Sequence, residues 1–299
     1  MLIKLPLQRF LIFLTITLIG ALVLNHFSNS VIHHVPAMAP ILFPTLTIFL
    51  MVFHTMIAVF MVMKYSCDHR RLYLMPIAFA FASSALLMLG TLKSYPDWFL
   101  CGGLTNITNY NDALIFFSFR NILMGILFIS SVVLYAFKTR KMHTNKIHFV
   151  ILSIIIIFCA IVMWLAWSYS SNSSLLNVIF INNATFRYSD VWKNLISWSL
   201  IGVWSLTLLI IVLVTHLRNI FWYSGAFFCS CYIFTLFVLM TGHDSAGYSW
   251  YQARLFETIS TLFLIFVLFC DVFTLYRQSN TKYPVSYTHL RAHETCADL

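Results

Sequence analysis

The sequence predicts an all-α integral membrane protein, a bundle of about eight transmembrane helices with both termini in the cytoplasm. Three observations support this prediction. Hydrophobic residues make up 61% of the 299 positions and charged residues only 9%, against roughly 25% charged in a soluble domain. Apolar runs long enough to cross a bilayer recur along the chain, and loops rich in basic residues alternate with loops that contain few of them. This composition excludes an aqueous enzyme domain of ordinary size.

Eight segments approach the roughly 20 apolar residues that a helix needs to cross a bilayer. They are Phe10–Leu24, Ile41–Met63, Leu72–Leu92, Ala113–Phe137, Ile147–Trp167, Leu195–Val214, Ile220–Met240 and Ala253–Leu275. The first is the shortest, and its charged start also fits a secretory signal peptide. Because no small-residue cleavage site clearly follows it, we expect an uncleaved first helix.

The domain organisation predicted from this pattern is one multi-span membrane domain, residues 1–277, followed by a short polar tail, residues 278–299. Residues 285–295 of the tail read like a translated sequencing adapter and are interpreted as non-native sequence. Taken at face value, His289, His293 and Glu294 could hold a metal on a helix. We instead expect neither a metal nor a cofactor in this chain.

Ionisable side chains within the apolar segments are candidates for function, because charge inside a bilayer is costly. Arg120 lies eight residues into the fourth segment and needs a carboxylate, a carbonyl or water as its partner. Arg254 and Glu257 open the eighth segment at spacing i, i+3, which allows an ion pair near the outer interface. Two interpretations stay open: a structural clamp, or a polar site between the fourth and eighth helices that responds to a ligand. Asp271 is expected within reach of Arg277.

His54 is isolated near the middle of the second segment. Haem ligation would need a facing histidine at matched depth, and the other histidines lie near segment ends. We therefore expect His54 to be hydrogen-bonded at a helix interface. No nucleophile–base pair, phosphate-binding loop or paired carboxylates are visible, so no catalytic residue is predicted.

Three short polar and aromatic stretches resemble a known family, the fourth MASE class of bacterial membrane-associated sensor domains. They are residues 68–73 (DHRRLY), 117–123 (FSFRNIL) and 249–257 (SWYQARLFE). The resemblance covers about residues 10–277, and Arg120, Arg254 and Glu257 fall where the family's motif has the same residue types. It implies about eight spans and a cytoplasmic GGDEF diguanylate cyclase domain after them. No GGDEF motif occurs in this chain.

The function that this resemblance implies is the signal-sensing input region of a protein in the bacterial inner membrane. The chain would be a truncated diguanylate cyclase, unable by itself to make cyclic di-GMP from GTP. Its expected partners are the lipid bilayer, an unknown small ligand and a second copy bound through the C-terminal helix, with no nucleic acid. An alternative is a small-molecule or ion transporter that uses Arg120, Arg254 and Glu257, and a third is a structural membrane protein without a ligand.

Orientation follows from the basic residues of the termini and loops, which collect on the cytoplasmic side of bacterial membrane proteins. Twelve lie on one side, against three, Lys93, Arg187 and Lys193, on the other. The twelve are Lys4, Arg9, Lys64, Arg70, Arg71, Lys138, Arg140, Lys141, Lys146, Arg218, Arg277 and Lys282. Both termini are therefore predicted to be cytoplasmic.

Reporter fusions test this topology. A fusion after Lys141 should report a cytoplasmic location and a fusion after Asn183 a periplasmic one, because the basic loop is retained inside. Alkaline phosphatase activity and green fluorescence read the two sides. Phosphatase activity at Lys141 would end the topological assignment.

Overall fold

In the residues that it describes, the computed structural model of the chain consists mainly of long helices. It describes residues 42–95, 109–137, 145–173, 175–176, 178–182, 187–241 and 248–297, together with single positions and short runs among residues 8–26. Within the last helix, side chains are described to residue 274 and at residue 277. In the described ranges, the only β pairing is an isolated bridge between Ile181 and Tyr188. The all-α prediction is confirmed.

Seven helices of the described chain are long and apolar enough to cross a bilayer. We number them α1 Leu42–Cys67, α2 Leu74–Lys93, α3 Tyr110–Ala136, α4 Asn145–Tyr169, α5 Ser197–Thr215, α6 Ile220–Thr241 and α7 Tyr248–Ala297. A π-helical turn, Val191–Ile196, leads into α5. These helices confirm seven of the eight predicted spans. The predicted first span contains a shorter apolar helix, Leu11–Gly20, and several of its residues lie outside the described ones.

Local sequence explains where several of these helices begin and end. Asp68 caps a short 3-10 turn between α1 and α2 by accepting a hydrogen bond from the backbone N–H of Arg70. Asn109 caps α3 in the same way through the N–H of Asp112. Both are residue types that satisfy the free N–H groups of a helix start. At the end of α5, His216 adopts the left-handed conformation common at helix C-termini.

Helix packing closes the described helices into a ring. Going round it, α1 packs on α2, α2 on α3, α3 on α5, α5 on α6, α6 on α7 and α7 back on α1, while α4 lies outside against α2 and α3. Consequently α3 and α7 stand on opposite sides of the ring. Any side-chain contact between them crosses the interior of the bundle.

The last helix is much longer than a bilayer is thick. Its 50 residues extend about 75 Å at 1.5 Å per residue, against roughly 30 Å of hydrocarbon. The apolar part is Ser249–Thr274, and the helical backbone continues through most of the predicted polar tail. The tail's side chains, including those of His289, His293 and Glu294, lie outside the described ones. The boundary at residue 277 and the non-native character of residues 285–295 stay predictions.

Candidate functional site

The interior of the ring holds three charged side chains in direct contact, Arg120 from α3 and Arg254 and Glu257 from α7, which we call the triad. Arg120 donates from Nη2 to Oε1 of Glu257 at 2.6 Å. Arg254 donates from Nη1 to Oε2 of the same carboxylate, also at 2.6 Å. The structure thus brings together three residues that the sequence singled out. Glu257 is the shared acceptor that joins α3 to α7 across the ring.

The triad is deeper than expected from the sequence. Side-chain exposure is 2% for Arg120, 5% for Arg254 and 0% for Glu257. The carboxylate lies about 13 Å along α7 from Tyr248, and Arg120 about 15 Å along α3 from Tyr110, at 1.5 Å per residue. The expected ion pair of Arg254 with Glu257 is confirmed. It lies further along its helix than the sequence places it, because α7 begins five residues before the predicted segment. Between buried groups such ion pairs interact far more strongly than on a surface.

Two aromatic rings frame the guanidinium groups of the triad. The Arg254 guanidinium carbon lies 4.8 Å from the Phe43 ring centroid and 6.0 Å from that of Phe117. The Arg120 guanidinium lies 5.2 Å from the same Phe117 ring. Cation–π attraction of this kind compensates part of the lost hydration of a buried cation. Phe117 thus contacts both cations, which explains why an aromatic residue precedes Arg120 by one helical turn.

Hydrogen bonds between uncharged side chains join the helices next to the triad. His54 of α1 shares a 2.8 Å hydrogen bond between Nδ1 and Oγ of Ser84 in α2. Its Nε2 lies 3.5 Å from Oγ1 of Thr261, whose hydroxyl donates to the carbonyl of Glu257. The expectation of a histidine hydrogen-bonded at a helix interface is confirmed. Its part in a sensory site stays a prediction.

Another hydrogen bond between uncharged side chains joins α3 to α5, one residue beyond Arg120. Asn121 accepts a 2.9 Å hydrogen bond from the indole N–H of Trp204, and both side chains are buried. Trp204 stacks in turn on Tyr232 of α6, with ring centroids 4.7 Å apart. Tyr232 is fully buried. Helices α5 and α6 are therefore also connected to the charged centre.

A small pocket opens beside the triad, lined by Arg254 and Glu257 and by apolar and aromatic side chains that include Phe43, Phe117 and Trp250. Trp250 donates from its indole N–H to the hydroxyl of Tyr188 at 2.8 Å. Burial raises the pKa of Tyr188 well above its ordinary value, so this hydroxyl stays protonated. Tyr188 belongs to the segment between α4 and α5, which therefore contacts the pocket wall from outside the bundle.

That segment is itself anchored on the first turn of α3. Asn111 accepts hydrogen bonds from the backbone N–H groups of Phe180 and Ile181. Asp112 accepts from the backbone N–H and the hydroxyl of Ser171. The helix that carries Arg120 thus also positions the segment that reaches Trp250.

A second ion pair holds α7 near the other end of its apolar part. Lys64 of α1 donates to Asp271, and side-chain exposure is 12% for the lysine and 35% for the aspartate. The sequence prediction that Asp271 lies within reach of Arg277 stays a prediction, and the contact that the structure shows for Asp271 is Lys64. The lysine is on another helix, 207 positions away, and no local spacing rule identifies such a partner. Helix α7 is therefore fixed to α3 and to α1 by separate charged contacts.

The first of the three motif stretches, residues 68–73, forms a structural junction rather than part of the triad. Arg71 pairs with Asp68 at 3.1 Å on the surface. The carbonyl of Tyr73 accepts a hydrogen bond from Ser131 of α3, and its ring packs against Tyr135 and Trp222. This stretch thus joins the start of α2 to α3 and α6 at the end of the bundle opposite the pocket.

The fold and the site together define a multi-pass membrane protein with an ionised, aromatic-framed centre. A family model described as a membrane-associated sensor, integral membrane domain, the MASE4 family, matches residues 37–276. The chain belongs to this family, as its short motif stretches predicted. No solved structure matches it.

Stability measurements separate the triad from the second ion pair. Glu257→Gln leaves two buried guanidinium groups without a counter-charge, so we expect a loss of about 3 kcal/mol or more of unfolding free energy. Asp271→Asn, the matched control at a half-exposed pair, should cost less than about 1 kcal/mol. Denaturant unfolding of the purified variants in mixed micelles measures both. Equal losses would contradict the assignment of Glu257 as the buried shared acceptor.

Proposed function

We propose that this chain is the signal-input region of a bacterial inner-membrane signalling protein, and that its output passes through α7 to a following diguanylate cyclase domain. Membership of a membrane-associated sensor family supports the sensing role. The observation that carries the proposal is the triad, because it joins α3 to the one described helix that continues far beyond its membrane part. The cyclase follows from the resemblance of the motif stretches.

Signalling through this arrangement requires two positions of α7 that differ in free energy by only a few kcal/mol. A ligand that competes for Arg120 or Arg254 weakens the hold of Glu257 on α3. Helix α7 then shifts or rotates relative to α3, while Lys64 and Asp271 keep its other end beside α1. A rigid helix transmits such a movement along its length, as in other helix-shift switches.

The readout in this proposal is the relative placement of two cyclase domains. A diguanylate cyclase joins two GTP molecules, so two catalytic domains must face each other. We propose that two copies associate through the continuation of α7. A rotation of the paired helices then brings the two domains together or separates them.

The sharpest test removes the ion pair between α3 and α7 and keeps the Arg254–Glu257 ion pair within α7. Residues 1–283 are joined in frame to a diguanylate cyclase domain, and cyclic di-GMP is measured in cells. Arg120→Gln keeps the Arg254–Glu257 pair and should change output several-fold at unchanged membrane abundance. Glu257→Gln, which also removes that pair, should change it too. Asp190→Asn, the control, removes an exposed carboxylate that makes no capping hydrogen bond and should leave output at the wild-type level.

Two results would contradict the proposal. If Arg120→Gln and Glu257→Gln both gave wild-type output and Arg254→Ala merely lowered abundance, the triad would be a folding clamp. If vesicles containing the protein accumulated a solute and Glu257→Gln abolished the uptake, the transporter alternative would replace the sensor.

A further inference from the structure

The charges of the triad do not cancel. Two guanidinium groups face one carboxylate, which leaves one positive charge in the buried interior. Four other carboxylates are described. Asp112 is hydrogen-bonded to Ser171, Asp271 is paired with Lys64 and Asp68 with Arg71, and Asp190 is exposed, so none of the four supplies the missing negative charge. An uncompensated buried charge is strongly unfavourable unless a counter-ion or a polar ligand accompanies it.

Hydrogen-bond donors at the triad are also left over. Among the described residues, neither the buried Nη1 group of Arg120 nor the buried hydroxyl of Tyr232 has a hydrogen-bond partner. Buried polar groups of folded proteins are nearly always paired. Guanidinium has donors only, so the partner that Nη1 lacks must be an acceptor. Excess positive charge and an unused donor therefore call for the same kind of group, an anion.

The pocket beside the triad limits the size of that anion. It is lined by Arg254, Glu257 and the aromatic rings of Phe43, Phe117 and Trp250, and it has space for about one water-sized group. Aromatic side chains do not replace the water that an ion loses when it is buried. Multiply charged anions, which bind their water tightly, are therefore disfavoured. Of the two arginines, Arg254 lines this pocket, and a halide or the carboxylate group of a small anion suits a guanidinium donor beside such a space.

We infer that the triad is a binding site for a small monovalent anion, either free in solution or carried as the carboxylate of an amphipathic molecule. This inference rests on the proposed function, since it names the chemical class of its ligand. The anion occupies the pocket beside Arg254 and Glu257, where its charge offsets the excess positive charge of the two arginines. Because it takes over part of the attraction that the arginines exert on Glu257, its arrival loosens the contact that ties α7 to α3.

The test uses the full chain in lipid nanodiscs at constant ionic strength. Gluconate, too large for the pocket, is replaced stepwise by chloride, nitrate or formate, and the unfolding temperature is recorded. Binding to the folded state stabilises it in a saturable way, so we expect a rise of roughly 2–5 °C. In a second arm, decanoate is compared with its uncharged methyl ester. A rise with formate or chloride identifies a free anion, and a rise with decanoate alone identifies a lipid-borne carboxylate. Equal unfolding temperatures in every solution would overturn the inference.

Variants that change the net charge of the triad separate anion binding at this site from general salt effects. Arg120→Gln makes the site neutral and should abolish the anion-dependent rise, while Lys64→Gln, the control at the second ion pair, should keep it. Glu257→Gln leaves two positive charges and should strengthen the anion dependence even though it lowers stability in gluconate. Arg120→Lys keeps the charge and should retain a weaker rise. The same anion dependence in Arg120→Gln as in the wild type would contradict the site.

Failure of this inference is distinguishable from failure of the proposed function. If no anion changes the unfolding temperature but Arg120→Gln still alters cyclic di-GMP output, the sensor stands and the anion site falls. If anions stabilise the wild type through Arg120, but neither added anion nor Arg120→Gln changes the cyclic di-GMP output, the anion site stands and the sensory role of the triad falls.

Discussion

One carboxylate shared by two guanidinium groups in an apolar interior is the constraint on which the architecture depends. Glu257 is fully buried, and its two oxygens are each 2.6 Å from an arginine nitrogen. Such a group is tolerated only if its partners are held in place. Both arginines are in turn framed by Phe117, and hydrogen bonds of His54 and Asn121 join the adjacent helices. Closure of the ring thus places α3 opposite α7 at the register that the ion pairs require.

The arrangement connects three regions that a sensor has to couple. At one end of the bundle, Tyr188 contacts Trp250 on the pocket wall, and its segment is anchored on the first turn of α3. At the centre, the triad joins α3 to α7. Toward the other end, Lys64 holds α7 through Asp271, and the helix then continues to Ala297. A change at the pocket therefore has a continuous route of packed and bonded groups to the part of α7 beyond the membrane.

The sequence predicted the helices well and the contacts between them only in part. Long apolar runs fix the spans because every backbone group in lipid must be bonded within its own helix. Arg120, Arg254 and Glu257 were identifiable because charge is rare at such depth. The depth of Glu257 was missed, since a hydropathy window that starts at Ala253 omits the first turn of α7, which is rich in aromatic side chains. Tyr232 and Lys64 gave no signal, because their roles depend on which helices become neighbours in the ring.

Arg120 and Glu257 interact directly across the ring, and a double-mutant cycle measures the energy of that interaction. Unfolding free energies are determined for the wild type, Arg120→Gln, Glu257→Gln and the double variant in the same mixed micelles. A direct interaction predicts a coupling energy of about 2 kcal/mol, with Glu257→Gln far less damaging once Arg120 is neutral. Additive effects within about 0.5 kcal/mol would show that the two residues do not interact and would contradict the shared ion pair.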